Sequence, residues 1–392
     1  MLMNRRHESG AVSLFLVIFS MLLITVVTLS FLRIMLADQQ QASINDLSKS
    51  AYDSSLAGTE DAKRALINYR TVCGSGDATL CATLKNRINS TVCNEGLVGV
   101  VNVEAINATN NKEVPVQQTL STNDNKLDQA YTCVKMQLLT ADYLGTIQAN
   151  SSKIIPLKSD RNFSSITIEW YSPNDISSTS KVLSLIPDTS GELPLYRQTN
   201  WPANRPSLLR AQFFQVGDTF KLTDFDNSDL TNSNVNSLFF YPTGVVSNGS
   251  TANTYNVAER DARKTATGTT EPTKCKSDLG GGGYACTVTL DLPYAIGETS
   301  PTRTAYLRLT PMYNSTHFRV SLGNGANFDG VQPSIDSTGR ANDQYRRVAT
   351  RVDLIDTNFP FPEATVETTG NFCKDFVVTN QASDFRNNGC TP

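Results

Sequence analysis

The stretch from Ala11 to Leu32, AVSLFLVIFSMLLITVVTLSFL, decides how this chain is built. It holds 22 consecutive residues without a charge, a proline or a glycine. A helix of that length spans about 33 Å, which is enough to cross a bilayer core of about 30 Å. The sequence therefore predicts a transmembrane helix over residues 11–32.

A polar segment, MLMNRRHESG, precedes the apolar run and ends at Gly10, directly against Ala11. A secretory signal peptide has a shorter apolar core with its small-residue cleavage site behind it, whereas here the small residue stands in front. A cleavage site at this junction would therefore lie on the cytoplasmic side. Because Arg5 and Arg6 precede the span and only Arg33 follows it closely, we expect a cytoplasmic N-terminus and an extracytoplasmic remainder.

The helical pattern continues beyond the membrane run to about residue 70. No glycine lies between Gly10 and Gly58, and the first proline is Pro115. Small and weakly apolar residues recur at three- and four-residue steps, which places them on one helix face suited to close packing on a sheet. The residues of this face are Ile44, Leu47, Ala51, Ser55, Gly58, Ala62 and Ala65 or Leu66.

A basic leader ending in Gly10, an uncharged span and an amphipathic continuation together resemble the type IV pilin and type II secretion pseudopilin class. Within that class, SAYDSSLAGTEDAKRAL at 50–66 is similar to the AFxAAE-type stretch of PilX-like minor pilins. The resemblance implies that a prepilin peptidase cuts after Gly10 and leaves Ala11 as the mature N-terminus. It also implies the membrane and other pilin or pseudopilin subunits as partners.

Phe15 marks a departure from the major pilins. They carry a glutamate at this fifth mature position, where its charge meets the N-terminal amine of a neighbouring subunit inside an apolar bundle. Because an unpaired charge in that setting is costly, the glutamate is needed where one subunit stacks beneath another. Its absence resembles the K-type pseudopilin and implies a minor subunit at or near a filament tip.

The cysteines and the charge balance describe the part of the chain that follows the membrane run. A net charge of -3 offers no electrostatic footprint for nucleic acid, so nucleic acid is not an expected partner. The eight cysteines lack the CxxC spacing of zinc sites, and an even number outside the membrane favours disulfides. Nearest-neighbour pairing is one possible connectivity, which the sequence leaves open. The cysteines are Cys73, Cys81, Cys93, Cys133, Cys275, Cys286, Cys373 and Cys390.

Beyond the helix, short runs of β-branched and aromatic residues bounded by Pro, Gly, Asn and Asp predict strands. The predicted fold class is α+β, with a long N-terminal transmembrane and amphipathic helix packed on a β-rich, disulfide-stapled extracytoplasmic head. The expected segments are a leader (1–10), a pilin-like helix (11–70), a disulfide-containing helix-to-sheet excursion (71–135) and a β-rich head (136–392) with a flexible loop (223–283).

A late alternating strand, YRRVATRVDLI at 345–355, carries a concentration of arginines. One interpretation is a basic strip for DNA or an acidic partner. The other, which we favour, is the solvated face of an antiparallel strand. The residues concerned are Arg340, Arg346, Arg347 and Arg351.

The sequence contains no GxSxG, HExxH or dinucleotide-binding glycine motif, so we expect no enzyme and no cofactor. Asp224, Asp226 and Asp229 are the one Ca²⁺ candidate, although the glycine and terminal glutamate of an EF-hand loop are missing. Tyr196 and Trp201 are candidates for a surface that contacts a glycan or a protein, because tryptophan is enriched at contact hot spots. The alternative is that these aromatic residues fill a core.

Together these observations predict a noncatalytic minor pilin-like or pseudopilin-like subunit that supports filament assembly, adhesion or contact with a host cell or other surface. We expect it first in the inner membrane as a single-pass protein and then in a filament at the cell surface. One alternative is a membrane-anchored adhesin or receptor ectodomain that never enters a filament. Another is an anchored extracytoplasmic hydrolase that uses a carboxylate pair, which no sequence motif defines.

Overall fold

A computed structural model of the chain describes residues 9–100, 113–116, 128–187, 196, 198–216, 235–244, 253–262, 270–297 and 304–354. The chain divides into two compact units, one of residues 1–136 with 335–350 and the other of residues 137–334 with 351–392. The expected head of 136–392 therefore differs from the second unit, because residues 335–350 belong with the N-terminal helix. Strand pairing between residues far apart in sequence produces this difference, and no local pattern reveals it.

Two α-helices lie among the described residues of the first unit. Helix α1 (Ser9–Gly74) is continuous and extends a few residues beyond its predicted end. Helix α2 (Ala78–Ile88) follows after a short turn. The Asp77 carboxylate accepts a hydrogen bond from the Leu80 N–H at 2.9 Å and so caps the start of α2.

Fourteen strands occur within the described residues. They are β1 (Val114–Pro115), β2 (Gln129–Thr140), β3 (Asp142–Ile147), β4 (Lys153–Pro156), β5 (Phe163–Trp170), β6 (Leu208–Val216), β7 (Val235–Thr243), β8 (Thr254–Asn256), β9 (Glu271–Lys274), β10 (Cys286–Ile296), β11 (Thr304–Met312), β12 (Thr316–Leu322), β13 (Phe328–Ala341) and β14 (Gln344–Arg351). A four-stranded sheet has the order β1-β2-β13-β14.

The second unit contains two five-stranded sheets, ordered β3-β12-β5-β10-β8 and β4-β11-β6-β7-β9. Alternate side chains of β5 from Ile166 to Trp170 are buried, as the period of two in a half-covered strand requires. The inner faces of both sheets contribute to one apolar core. Across it the Trp170 and Phe240 rings lie 6.2 Å apart, which joins the two sheets as a β-sandwich.

The segment 223–283, expected to be a flexible loop, contains three strands among its described residues, β7, β8 and β9. Strand β8 pairs in parallel with β10, and β9 pairs in parallel with β7. The aromatic run SLFFYP at 237–242 indicates β7, whereas serine, threonine, asparagine and glycine dominate the rest of this segment and give no strand pattern. The strands form because their hydrogen-bonding partners lie elsewhere in the chain.

Three disulfides join neighbouring cysteines along the chain. Cys73 pairs with Cys81 and Cys93 with Cys133 in the first unit, and Cys275 pairs with Cys286 in the second. These are three of the nearest-neighbour pairs that the sequence left open. The remaining two cysteines, Cys373 and Cys390, lie outside the described residues.

Candidate functional site

The first half of α1 presents large apolar side chains to the surroundings. Every large apolar side chain from Leu14 to Leu36 is at least 43% exposed, and Phe15 reaches 73%. Of the helices described, α1 is the one long and apolar enough to cross a membrane, and none of its apolar stretch is buried within the chain. A continuous exposed apolar surface of this size indicates contact with lipid or with a partner.

The hydroxyl side chains in this apolar stretch satisfy their own hydrogen bonds. Ser20 donates to the Val17 carbonyl at 2.9 Å, and Thr25 donates to the Leu22 carbonyl at 2.8 Å. Thr28 and Ser30 likewise donate to carbonyls in the preceding turn. A hydroxyl that bonds within its own helix can enter hydrocarbon without leaving an unpaired polar group. The stretch is therefore chemically suited to lipid along the described part of the run.

The second half of α1 packs through the small face that the sequence predicts. From Ala51 onward the prediction is confirmed, since Ala51, Ser55, Ala62 and Leu66 are buried. The first two residues of the predicted face differ, because Ile44 is 51% exposed and Leu47 is half-buried. Periodicity gives the direction of this face, but where the helix meets the sheet depends on the strands.

Glycines bring the helix and β13 into close contact within the first unit. A Cβ atom on Gly58 would lie 2.5 Å from the Ser337 Oγ atom and 2.9 Å from Val134 Cγ2. Beside it, the buried Tyr131 donates its hydroxyl to the Asp61 Oδ2 atom at 2.9 Å. Burial and the Asp61 carboxylate raise the pKa of Tyr131 well above its ordinary value. The tyrosine therefore stays neutral and ties β2 to the helix.

The late arginines are engaged with acidic or polar groups. Arg346 and Arg347 are exposed on β14, as the solvated-strand interpretation predicts, whereas Arg340 belongs to β13 and its side chain is 14% exposed. Arg340 forms ion pairs with Glu113 and with Asp128, the latter at 2.6 Å. These two acidic residues and Asp336, which pairs with Arg347, neutralise much of the positive charge. Arg346 contacts the Ser48 hydroxyl, and Arg351 pairs with Asp142.

The aromatic residues proposed as an exposed binding surface are largely buried. Trp201 is 7% exposed, and its ring stacks on the Tyr313 ring with the centroids 4.4 Å apart. A second ring, that of Tyr241, meets Trp201 edge-on at 5.8 Å. Tyr196 is half-buried at the side of this cluster. Trp201 therefore fills a small secondary core with Ile186, Leu208 of β6 and Tyr241 of β7.

Sequence reasoning missed the charged member of this cluster, Arg205. Its guanidinium carbon lies 5.1 Å from the Tyr196 ring centroid and 5.1 Å from that of Trp201. The Nε atom donates to the Ser184 carbonyl at 2.7 Å, and Nη2 lies 3.3 Å from the Ser184 hydroxyl. Arg205 is 8% exposed, and no carboxylate of the described residues pairs with it. The only sequence sign is an arginine close to aromatic residues.

Two buried donors in this cluster have no acceptor. Neither Arg205 Nη1 nor Trp201 Nε1 has a hydrogen-bond partner among the described residues, and both atoms are shielded from solvent. A buried donor without an acceptor costs about 1–3 kcal/mol. The arrangement is therefore unfavourable for a purely structural cluster and suited to receiving acceptor atoms.

A histidine–aspartate pair is the other polar feature that the sequence did not reveal. The buried Asp175 carboxylate accepts hydrogen bonds from the His317 backbone N–H and from the Ser172 backbone N–H, and it lies 2.7 Å from His317 Nδ1. The pair orients the imidazole and ties the turn after β5 to β12. Across the described ranges, no three His, Cys, Asp or Glu side chains are placed to hold a metal ion. The Ca²⁺ candidate residues Asp224, Asp226 and Asp229 lie outside those ranges.

No protein-family model, curated protein or solved structure matches this chain. The fold and site define a protein with one long apolar N-terminal helix and a β-rich, disulfide-bonded domain. The exposed apolar helix indicates membrane anchoring or a signal sequence. The disulfides suggest that the β-rich part lies in an oxidising compartment.

Proposed function

We propose that this chain is a noncatalytic minor subunit of a type IV filament system, held at or near the filament tip. The observation that carries the proposal is the division of α1. A single unbroken helix exposes apolar side chains along its first half and packs its second half on a sheet through small residues. An ordinary membrane anchor requires neither the continuity nor the packed extension.

The exposed apolar half has two environments available in this proposal. In the membrane it is stored in lipid, which accommodates its uncharged surface and its satisfied hydroxyls. In a filament the same surface packs against the apolar helices of neighbouring subunits. Removal of the leader between Gly10 and Ala11 by a prepilin peptidase frees the helix end to move from one environment to the other.

Phe15 supports a position at the tip. A subunit that stacks beneath another needs a carboxylate near its N-terminus to meet the amine of its neighbour, and a phenylalanine cannot supply it. The described helix carries no acidic side chain from Leu14 to Ala37, so no nearby residue replaces that charge. The proposed subunit therefore begins or caps a filament and displays its β-rich domain for adhesion or surface contact.

Immunogold electron microscopy of sheared filaments tests this proposal. Antibodies to the β-rich domain should label one end of each filament. Phe15→Glu should allow incorporation along the shaft and spread the label, whereas Phe15→Leu, which stays uncharged, should keep it at the end. Label confined to the cell envelope and missing from sheared filaments would contradict the proposal and favour an anchored adhesin or receptor ectodomain.

A further inference from the structure

The Arg205 cluster, defined here as Tyr196, Trp201, Arg205, Tyr241 and Tyr313, lies within the second unit. No carboxylate of the described residues pairs with its positive charge. Aromatic rings flank the guanidinium of Arg205 on two sides, and Ser184 occupies its Nε and Nη2 donors. The remaining donor, Nη1, is buried and has no acceptor among the described residues. The indole Nε1 of Trp201 is in the same state.

We propose that this cluster binds the carboxylate group of a small ligand. A carboxylate has two oxygens, and the cluster offers two nitrogen atoms without a described acceptor, Arg205 Nη1 and Trp201 Nε1. A charge-assisted hydrogen bond from Arg205 to one oxygen would neutralise the buried guanidinium. A bond from Trp201 to the other would satisfy the indole.

The surrounding rings specify what should be attached to that carboxylate. Tyrosine and tryptophan faces present an apolar lining with polar edges, which suits a ring or a short apolar group next to the acid. An acidic sugar and the free carboxyl end of a peptide share this chemistry. The structure therefore defines the class as a carboxylate beside a compact apolar or ring-shaped body.

Tyr196 is the partly exposed ring over the guanidinium, and its backbone carbonyl accepts the Tyr313 hydroxyl at 3.0 Å. Trp201 is fixed from both sides by Tyr241 and Tyr313. We infer that the Tyr196 ring moves aside when the ligand binds, while Trp201 and Arg205 stay in place.

Indole NMR of the full chain in detergent micelles tests the proposal, because the chain has only two tryptophans. With ¹⁵N-tryptophan labelling, the Trp170 and Trp201 signals are assigned through the Phe variants. Sodium glucuronate and an N-acetylated dipeptide with a free carboxylate are the probes, and glucose and the dipeptide amide are their uncharged controls. A saturable change in the Trp201 chemical shift with either acid, but not with its uncharged control, supports a carboxylate site. The acid that causes the change shows whether the ligand is a sugar acid or a peptide end.

Arg205→Lys should weaken that binding about tenfold, equivalent to about 1.4 kcal/mol, because lysine lacks the planar donor pair. Arg210→Lys is the matched control, since Arg210 also lies over an aromatic ring, Phe239, but donates to Ser237. It should leave binding unchanged. If Arg205→Lys fails to fold, Trp201→Phe provides the second test through calorimetric titration.

The proposal is overturned if neither acid moves the Trp201 signal at millimolar concentration, or if the uncharged controls move it equally. It is also overturned if Arg210→Lys weakens binding as much as Arg205→Lys does. This inference concerns the second unit alone. Failure of this proposal would not affect the proposed filament function. Failure of the filament function would likewise not affect this proposal.

Discussion

A Cβ atom placed on Gly339 would lie 2.2 Å from the carbonyl oxygen of Ala51. It would also lie 2.3 Å from the backbone nitrogen of Ser55. Strand β13 therefore meets α1 backbone to backbone, and neither partner can move a flexible side chain aside. This contact fixes the second half of α1 on its sheet.

Gly339→Ala should destabilise the first unit by about 1–3 kcal/mol, the usual cost of overpacking a tight interface. Gly74→Ala is the control, because a Cβ at Gly74 meets nothing within 4 Å. Urea denaturation in detergent, followed by circular dichroism, measures the difference. Equal midpoints for the two variants would show that α1 and β13 are not in this contact.

The two tryptophans should respond differently to the same substitution. Trp170 Nε1 donates to the Ser207 carbonyl at 3.0 Å, whereas Trp201 Nε1 has no described acceptor. Trp170→Phe removes a buried hydrogen bond and leaves the Ser207 carbonyl without its donor. This adds about 1–3 kcal/mol to the destabilisation caused by lost packing. Trp201→Phe removes an orphaned donor and should cost less. Thermal unfolding without added ligand measures both, and a larger loss for Trp201→Phe would contradict the assignment of its indole.

Asp353 should make the second unit sensitive to acid. Burial alone would raise its pKa, but hydrogen bonds from Lys153 and Gln332 and the Lys153 charge outweigh it and hold the pKa of Asp353 below its ordinary value. The Lys153 Nζ atom lies 2.6 Å from Asp353 Oδ2. The folded state thus favours the carboxylate. The contribution of Asp353 to the stability of the fold is complete above the ordinary pKa of about 4. It is lost as the pH falls through the lower pKa that Asp353 has in the folded state.

Asp353→Asn should therefore lower the melting temperature by about 3 °C at neutral pH, as expected for about 1 kcal/mol in a unit of this size. The difference in melting temperature between this variant and the unsubstituted chain should disappear in strong acid. Asp291→Asn, at an exposed position in the same unit, controls for loss of charge. A gap that stays constant with pH would show that Asp353 acts only through packing.

The two disulfides of the first unit should contribute unequally. Cys73 and Cys81 are separated by 8 positions, and Cys93 and Cys133 by 40. Because a longer closed loop restricts the unfolded chain more, replacing the second pair with serines should cost about 1 kcal/mol more than replacing the first. Chemical denaturation of the two double variants gives the comparison. An equal or reversed order would mean that native packing around the bridges outweighs loop closure.

Local patterns account for the parts of the fold that could be predicted. The apolar run and the missing helix breakers predict α1, and small residues at helical spacing predict its buried face from Ala51 onward. Alternation predicts β5, where Ile166, Ile168 and Trp170 lie in the core. Each of these features depends on residues close together in the chain.

The remaining features depend on contacts between distant residues. The environment of Arg205 is formed by Ser184, Tyr196 and Trp201, together with the rings of Tyr241 in β7 and Tyr313 after β11, and no spacing rule brings these together. Likewise, β9 is a strand because it pairs with β7, not because of its own composition. The candidate ligand site was therefore visible only as isolated aromatic residues.

The most direct test of the proposed function is the mass of the N-terminal peptide of protein recovered from native membranes and sheared filaments. Processing in the pilin pathway predicts that the mature chain begins at Ala11. Gly10→Leu should restore Met1, whereas Glu8→Gln, which changes the leader away from the junction, should not. An intact Met1 on the unsubstituted chain in both fractions would contradict the proposed function.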